Sequence, residues 1–168
     1  MLRKVVIMGP SGCGKSTLGR ALADALGWQF IEGDDLHPPE NKAKMARGEP
    51  LTDADRTPFL DGVGKALARA PGGAVASCSA LRRSYRDRLR HIAGPLLFVL
   101  PEVPRAELAR RLEERPQSFM PPSLLDSQLA TLERPDDDEA AMCIDGTRPV
   151  AGEIQRVREY LNASDARA

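Results

Sequence analysis

The sequence predicts an α/β fold in which a five-stranded parallel sheet is covered by helices on both faces. Three observations carry that expectation. Short apolar, β-branched runs alternate with longer stretches of helical periodicity along the chain. A glycine-rich G-x-x-x-x-G-K-S pattern spans residues 9–16, directly between the first apolar run and the first helical stretch. The other polar clusters also fall just after apolar runs, at strand carboxyl ends, the edge at which open parallel sheets bind ligands. At 168 residues the chain reads as a single domain, 1–168, around one core.

The elements follow in order. Val5 to Met8 is apolar and β-branched, as a strand buried on both faces requires. Gln29 to Ile31 is a second, very short strand, and Gly73 to Cys78, Pro95 to Leu100 and Met142 to Ile144 supply three more. Helical stretches are expected near 17–26, 39–47, 54–70, 82–92, 104–115, 122–133 and 150–161. Thr52-Asp53-Ala54-Asp55 resembles a capping box, with an acid three residues after a threonine. Phe59, Leu60, Val63 and Leu67 then recur at helical spacing and read as a buried face. The chain begins its first strand almost at once, which leaves no room for a signal peptide, and the small polar tail 162–168 is expected to fray.

The pattern Gly9-Pro-Ser-Gly-Cys-Gly-Lys-Ser16 matches a phosphate-binding loop in its proper strand–loop–helix setting. Its glycines let backbone N–H groups turn inward on a polyphosphate, and the following helix presents its positive N-terminal end to the same anion. This makes the fold a three-layer P-loop NTPase fold. The expected nucleotide-binding residues are Gly9, Ser11, Gly12, Cys13, Gly14, Lys15, Ser16 and Thr17, with Lys15 reaching the β- and γ-phosphates and Ser16 binding Mg²⁺. Cys13 reads as a spacer, although a thiol near a helix N-terminus also has a route to a lowered pKa.

Glu32-Gly33-Asp34-Asp35 follows the second strand. Asp34 is the expected base, orienting an acceptor hydroxyl and taking its proton. In extended chain Glu32 and Asp34 point the same way, so Glu32 is expected to serve Mg²⁺ through water. His37, Lys44, Arg56, Ser79 and Arg82 are candidates for binding the acceptor. The run Arg82, Arg83, Arg86, Arg88, Arg90 reads mostly as a solvated helix face. Arg111 and Arg115 share a helix face before the Pro-broken segment Phe119-Met120-Pro121-Pro122, an arrangement suited to a lid over about 105–134 that closes on the triphosphate. Arg134 to Glu139 reads as an acidic connection, and Gly146-Thr147-Arg148-Pro149 is the best candidate for the adenine pocket.

Taken together these segments resemble the gluconokinase family, small P-loop sugar-acid kinases related to shikimate and adenylate kinases. The resemblance runs from about Val5 to Asp145. It rests on the loop 9–16, Gly33-Asp-Asp-Leu-His-Pro38, Asn41-Lys-Ala-Lys-Met45, Gly48-Glu-Pro-Leu-Thr-Asp-Ala-Asp-Arg56, Cys78-Ser-Ala-Leu-Arg82, Tyr85-Arg-Asp87, Arg111-Leu-Glu-Glu-Arg115, Phe119-Met-Pro121, Leu124-Leu-Asp-Ser-Gln128 and Leu132-Glu133. It implies ATP-dependent, Mg²⁺-assisted phosphorylation of D-gluconate at its terminal hydroxyl, a homodimer, and an acceptor pocket closed by Gln128. Four positions depart from the family: Glu32 replaces a usual Asp, Arg82 a Lys, Ser118 a His and Phe59 a Trp. Without the resemblance, the residues leave open a kinase of the same fold for another acid such as shikimate, and a nucleotide-dependent switch.

Composition narrows the partners. With 24 basic and 24 acidic residues and only 4% aromatics, the chain is not expected to bind nucleic acid or an anionic membrane surface. No apolar run is long enough to span a bilayer. Three cysteines, an odd number with no metal-ligand spacing, are expected to be reduced thiols of a cytoplasmic protein.

Overall fold

The structure, a computed structural model, describes residues 2–115, 121 and 123–166. Five strands, β1 (Lys4–Ile7), β2 (Gln29–Glu32), β3 (Ala74–Ser77), β4 (Leu97–Glu102) and β5 (Ala141–Asp145), form one sheet in the order β2-β3-β1-β4-β5, and every described pairing is parallel. The helices are α1 (Lys15–Leu26), α2 (Pro39–Ala46), α3 (Asp53–Arg69), α4 (Arg83–Ala93), α5 (Arg105–Glu113), α6 (Leu124–Thr131) and α7 (Val150–Asp165). Each expected strand and helix is present, with ends moved by a few residues. The last helix reaches Asp165 rather than stopping near Leu161, so residues 162–165 extend it instead of leaving it as a tail.

Side-chain alternation on β1 explains the layers. Val5 and Ile7 face a core built with Leu18 and Leu22 of α1 and Val157 and Leu161 of α7. Val6 and Met8 face the opposite core, with Phe59, Leu60, Val63 and Leu67 of α3 and Leu89 of α4. All four of these β1-segment residues are 0% exposed, as expected for a central parallel strand. The capping box is present at α3: the Asp55 N–H donates to Thr52 Oγ1 (3.2 Å) and the Thr52 N–H donates to Asp55 Oδ2 (2.8 Å).

One expectation is corrected. Arg86, read as part of a solvated basic face, is fully buried, and Glu139 of the acidic connection is buried with it. Arg86 Nε and Nη2 donate to Glu139 Oε2 and Oε1, both at 2.8 Å. Its Nη1 reaches the carbonyls of Ala80 (3.1 Å), Leu81 (3.3 Å) and Glu133 (3.0 Å), and Arg90 adds a second guanidinium to Glu139 at 2.6 Å. Burial pushes the Glu139 carboxyl up, but the hydrogen bonds from Arg86 and Arg90 override it and hold the group at about 2. A buried guanidinium is tolerated because its donors are answered in full. The segment thus held, Ala80–Leu81, includes the one non-glycine residue with positive φ among the described residues, Ala80 at 43°.

Replacing Glu139 by Gln leaves two guanidinium groups facing an uncharged amide, one of them in the dry interior. We expect a loss of roughly 3–5 kcal/mol in urea denaturation. The Glu139 contribution in the wild type is present above about pH 4.5 and is lost as pH falls toward about 2, so the gap between variant and wild type should close in that window.

Candidate active site

β1 lies between β3 and β4, and its carboxyl end feeds the phosphate loop into the crevice where the strand order switches. Gly12 and Gly14 take φ of 88° and 91°, a region that side chains strongly disfavour, and so turn the loop into α1. Within the loop, Lys15 Nζ donates to the Pro10 carbonyl at 3.0 Å. The Ser11 N–H donates to Gln128 Oε1 at 2.7 Å, which brings α6 onto the loop.

The ends of β2 and β3 meet the loop through Glu32. Its Oε1 accepts from Ser16 Oγ (3.0 Å) and Ser77 Oγ (2.5 Å), and its Oε2 accepts from Arg20 (3.3 Å). Ser77 Oγ in turn accepts from the Gly33 N–H at 3.0 Å. Gly33 is required by this approach, since a Cβ there would lie 1.9 Å from the Ser77 carbonyl oxygen. The chain leaves strand geometry at Glu32 and enters a 3₁₀ turn over Gly33–Leu36. The alternation argument for Glu32 and Asp34 therefore fails: the turn, not the pleat, sets where Asp34 goes.

A cavity of about 510 Å³ opens beside the loop. Lys15 and Ser16 line it at the phosphate end, and Asp34, His37, Arg56, Ser79 and Gln128 also line it. Met45, Leu51 and Leu124 close its far side with apolar surface, and Arg115 stands on its rim. Asp34 opens onto the cavity yet is ringed by protein atoms. That desolvation raises its carboxyl above the ordinary 3.8, with Lys15 pulling the other way and Glu32 and Asp35 adding to the rise. His37 stacks on Phe59 with ring centroids 3.7 Å apart and planes 11° apart. Burial, with help from the Lys42 and Arg56 charges, takes its imidazole down to about 4. Arg56 Nη1 donates to the Leu51 carbonyl (2.7 Å) and to the Tyr85 hydroxyl (3.1 Å), and that hydroxyl donates to Asp53.

Two of the expected acceptor residues stand back from the cavity wall. Lys44 donates to Asp55 Oδ2 at 2.7 Å, and Arg82 lies 3.7 Å from Asp53 Oδ2. A second cavity of about 460 Å³ lies on the other side of the loop and is lined by Cys13, Thr17, Arg111, Gly146 and Arg148, with Arg115 shared. Arg111 is a strut between two walls there, donating to the carbonyls of Gly12 (3.1 Å) and Gly146 (2.9 Å). Arg148 pairs with Asp145 at 3.4 Å. Cys13 is buried, and that burial raises its thiol pKa, contrary to the lowered value a helix N-terminus alone suggests. Of the lid, Arg111 and Arg115 are described, whereas Ser118 and Phe119-Met120 lie outside the described residues.

Sequence reasoning gave Asn41 and Ser77 no role of their own in the site. Both are buried, and both join segments far apart in the chain, so no local pattern shows their partners. The donor set Ser16 Oγ and Glu32 fits Mg²⁺, which takes few hard protein oxygens and keeps water and phosphate as its other ligands. Among the described residues no group of three or more acidic, His or Cys side chains forms a cage for a metal.

Known proteins resemble this chain in sequence and in fold. A family model described as an AAA domain matches residues 5–135. A gluconokinase from Gluconobacter oxydans is 47% identical over 97% of this chain and 93% of its own. A sugar kinase structure from Janibacter sp. HTCC2649 superposes with a TM-score of 0.89 at 42% identity, covering 96% of this chain and 95% of that one. A gluconokinase structure from Sinorhizobium meliloti 1021 gives 0.81 at 46% identity, covering 96% of each chain.

An acid titration followed by NMR should find His37 taking its proton near pH 4 instead of near 6.5. Because the unfolded chain binds that proton first, His37 should lower global stability as pH falls from about 6.5 to 4. Phe59→Ala, which opens the ring to water, should move the His37 value upward.

Proposed function

The chain belongs to the gluconokinase family, and from that premise we propose that its ATP-dependent phosphorylation of D-gluconate runs by in-line transfer of the γ-phosphoryl group to the terminal 6-hydroxyl, giving 6-phospho-D-gluconate. The observation that carries this reading is the shared cavity, in which Lys15 and Ser16 line the same space as Asp34. Phosphate donor and hydroxyl acceptor thus meet between a fixed cation and a carboxylate.

The roles follow from chemistry and place. Loop N–H groups from Gly12 to Thr17 cradle the polyphosphate, while the Gly9 N–H is held by the Ser79 carbonyl, and Arg148 borders the base-binding side. Lys15 leaves the Pro10 carbonyl for the β- and γ-phosphates. Ser16 and Glu32 would hold Mg²⁺, which would supply charge neutralisation to the polyphosphate. Asp34 orients the 6-hydroxyl and accepts its proton; a carboxyl raised by desolvation is a stronger base than an ordinary aspartate. His37, Arg56, Ser79 and Gln128 bind the acceptor's hydroxyls and carboxylate, with Lys44 and Arg82 contributing on lid closure. Arg111 and Arg115 offset charge on the transferring group. The reading includes a cytoplasmic homodimer, with neither nucleic acid nor membrane as a partner; sedimentation of the purified chain tests the dimer. No helix among the described residues is long and apolar enough to cross a membrane.

Purified protein with Mg-ATP and D-gluconate should release ADP and form 6-phosphogluconate, whereas shikimate and acceptor-free controls should not. ADP release that ignores gluconate would overturn the acceptor assignment. Asp34→Asn should lower kcat by roughly 10²–10⁴-fold with little change in the KM for ATP. The acid limb of kcat/KM for gluconate should lie above pH 3.8, because the folded Asp34 carboxyl is raised, and the limb should vanish in that variant.

A further inference from the structure

Asn41 is buried at 4% exposure on the inner face of α2, one turn after His37. Its Nδ2 donates to the backbone carbonyl of Asp55 at 2.8 Å and lies 3.3 Å from His37 Nδ1. A peptide carbonyl only accepts, so the nitrogen side of the carboxamide has to face Asp55. One amide hydrogen is spent there, and the other points at His37 Nδ1. That ring nitrogen must then present a lone pair, and the imidazole proton belongs on Nε2.

Both ends of this Asp55–Asn41–His37 series are held. The Asp55 carbonyl sits in the first turn of α3, where the capping box with Thr52 and the Lys44 ion pair fix its residue. The imidazole ring is held flat against Phe59 and lines the acceptor cavity. Its Nε2 has no protein partner among the described residues.

We propose that Asn41 is a positioning residue that locks His37 in its Nε2–H tautomer, so that the acceptor meets one fixed N–H donor at that wall. The role of the donor rests on the gluconate reading, whereas the tautomer itself does not. Asp34 accepts on one side of the cavity while His37 and Arg56 donate on the others. A hydroxyl or carboxylate oxygen at His37 is welcomed by its lone pair. An ammonium group there meets donor against donor, so the device selects hydroxy acids over amino analogues at that position.

The test uses the full chain with ¹⁵N-labelled histidine and long-range ¹H–¹⁵N correlation at neutral pH, His91 being assigned through His91→Gln. His37 is expected to show a bare Nδ1 and a protonated Nε2; a protonated Nδ1 in the wild type overturns the proposal without recourse to any variant. In Asn41→Asp, whose side chain only accepts, a proton should appear on Nδ1.

Kinetics supply the second arm. Asn41→Asp should raise the KM for gluconate about tenfold, the scale of one lost hydrogen bond, and leave the KM for ATP within about twofold. In a His37→Gln background the same change should alter the gluconate KM by less than about twofold, because the glutamine amide donates without Asn41. Equal effects in both backgrounds would mean that Asn41 merely ties α2 to α3, and the proposal fails. A wild type that ignores gluconate overturns the acceptor reading and leaves the tautomer result standing.

Discussion

The site depends first on one carboxylate. Glu32 gathers hydrogen bonds from Ser16, at the start of α1, and from Ser77, at the end of β3, while itself ending β2. Three segments brought together by the parallel sheet are thereby fixed to one another at the edge where phosphate binds. The Glu32 carboxylate reaches the Ser16 hydroxyl directly, at 3.0 Å. That hydroxyl donates its proton to Glu32, which leaves its oxygen lone pairs free for a cation. The close passage of Gly33 past Ser77 then starts the turn that delivers Asp34 and His37 to the cavity.

Behind this front stands a second, fully buried polar element. Arg86 binds three backbone carbonyls and one carboxylate, and two of those carbonyls belong to the Ala80–Leu81 bend that lines the acceptor cavity. A left-handed alanine costs of the order of 1 kcal/mol, and it persists where its surroundings over-determine it. The Ser79 carbonyl beside it accepts from the Gly9 N–H at 3.0 Å, so the strained bend also braces the phosphate loop. Catalytic geometry here rests on buried charge as much as on apolar packing.

How much of this was legible follows from range. The strands, the helices, the loop 9–16 and the capping box at Thr52 are written in residues a few positions apart, and local periodicity reveals them. Asp34 and Ser79, read from their strand-end positions, line the cavity, as do His37 and Arg56, read beside them, and Gln128, read from the family motif. Arg86 was not legible: five arginines lie between Arg82 and Arg90, and what separates the buried one from its neighbours is Glu139, 53 residues further on. The roles of Asn41 and Ser77 were hidden for the same reason, since their partners at Asp55 and Gly33 are neighbours only after folding. The charges of Lys44 and Arg82 were visible, but the aspartates that engage them were not assigned to them.

The cysteines turn the packing of the phosphate loop into something a chemist can time. Cys13 and Cys78 are each 2% exposed, and burial raises both thiols, Cys78 to about 12, whereas Cys143 is partly open to solvent. A water-borne alkylating reagent therefore meets Cys143 in the closed fold and has to wait for local opening to reach the other two. Cys13 sits inside the loop with its sulfur against the backbone of Gly9, so its modification clock runs on excursions of the loop itself. A bound polyphosphate, by holding the loop N–H groups, should slow that clock selectively, which gives the chain a built-in chronometer of nucleotide occupancy that needs no added label.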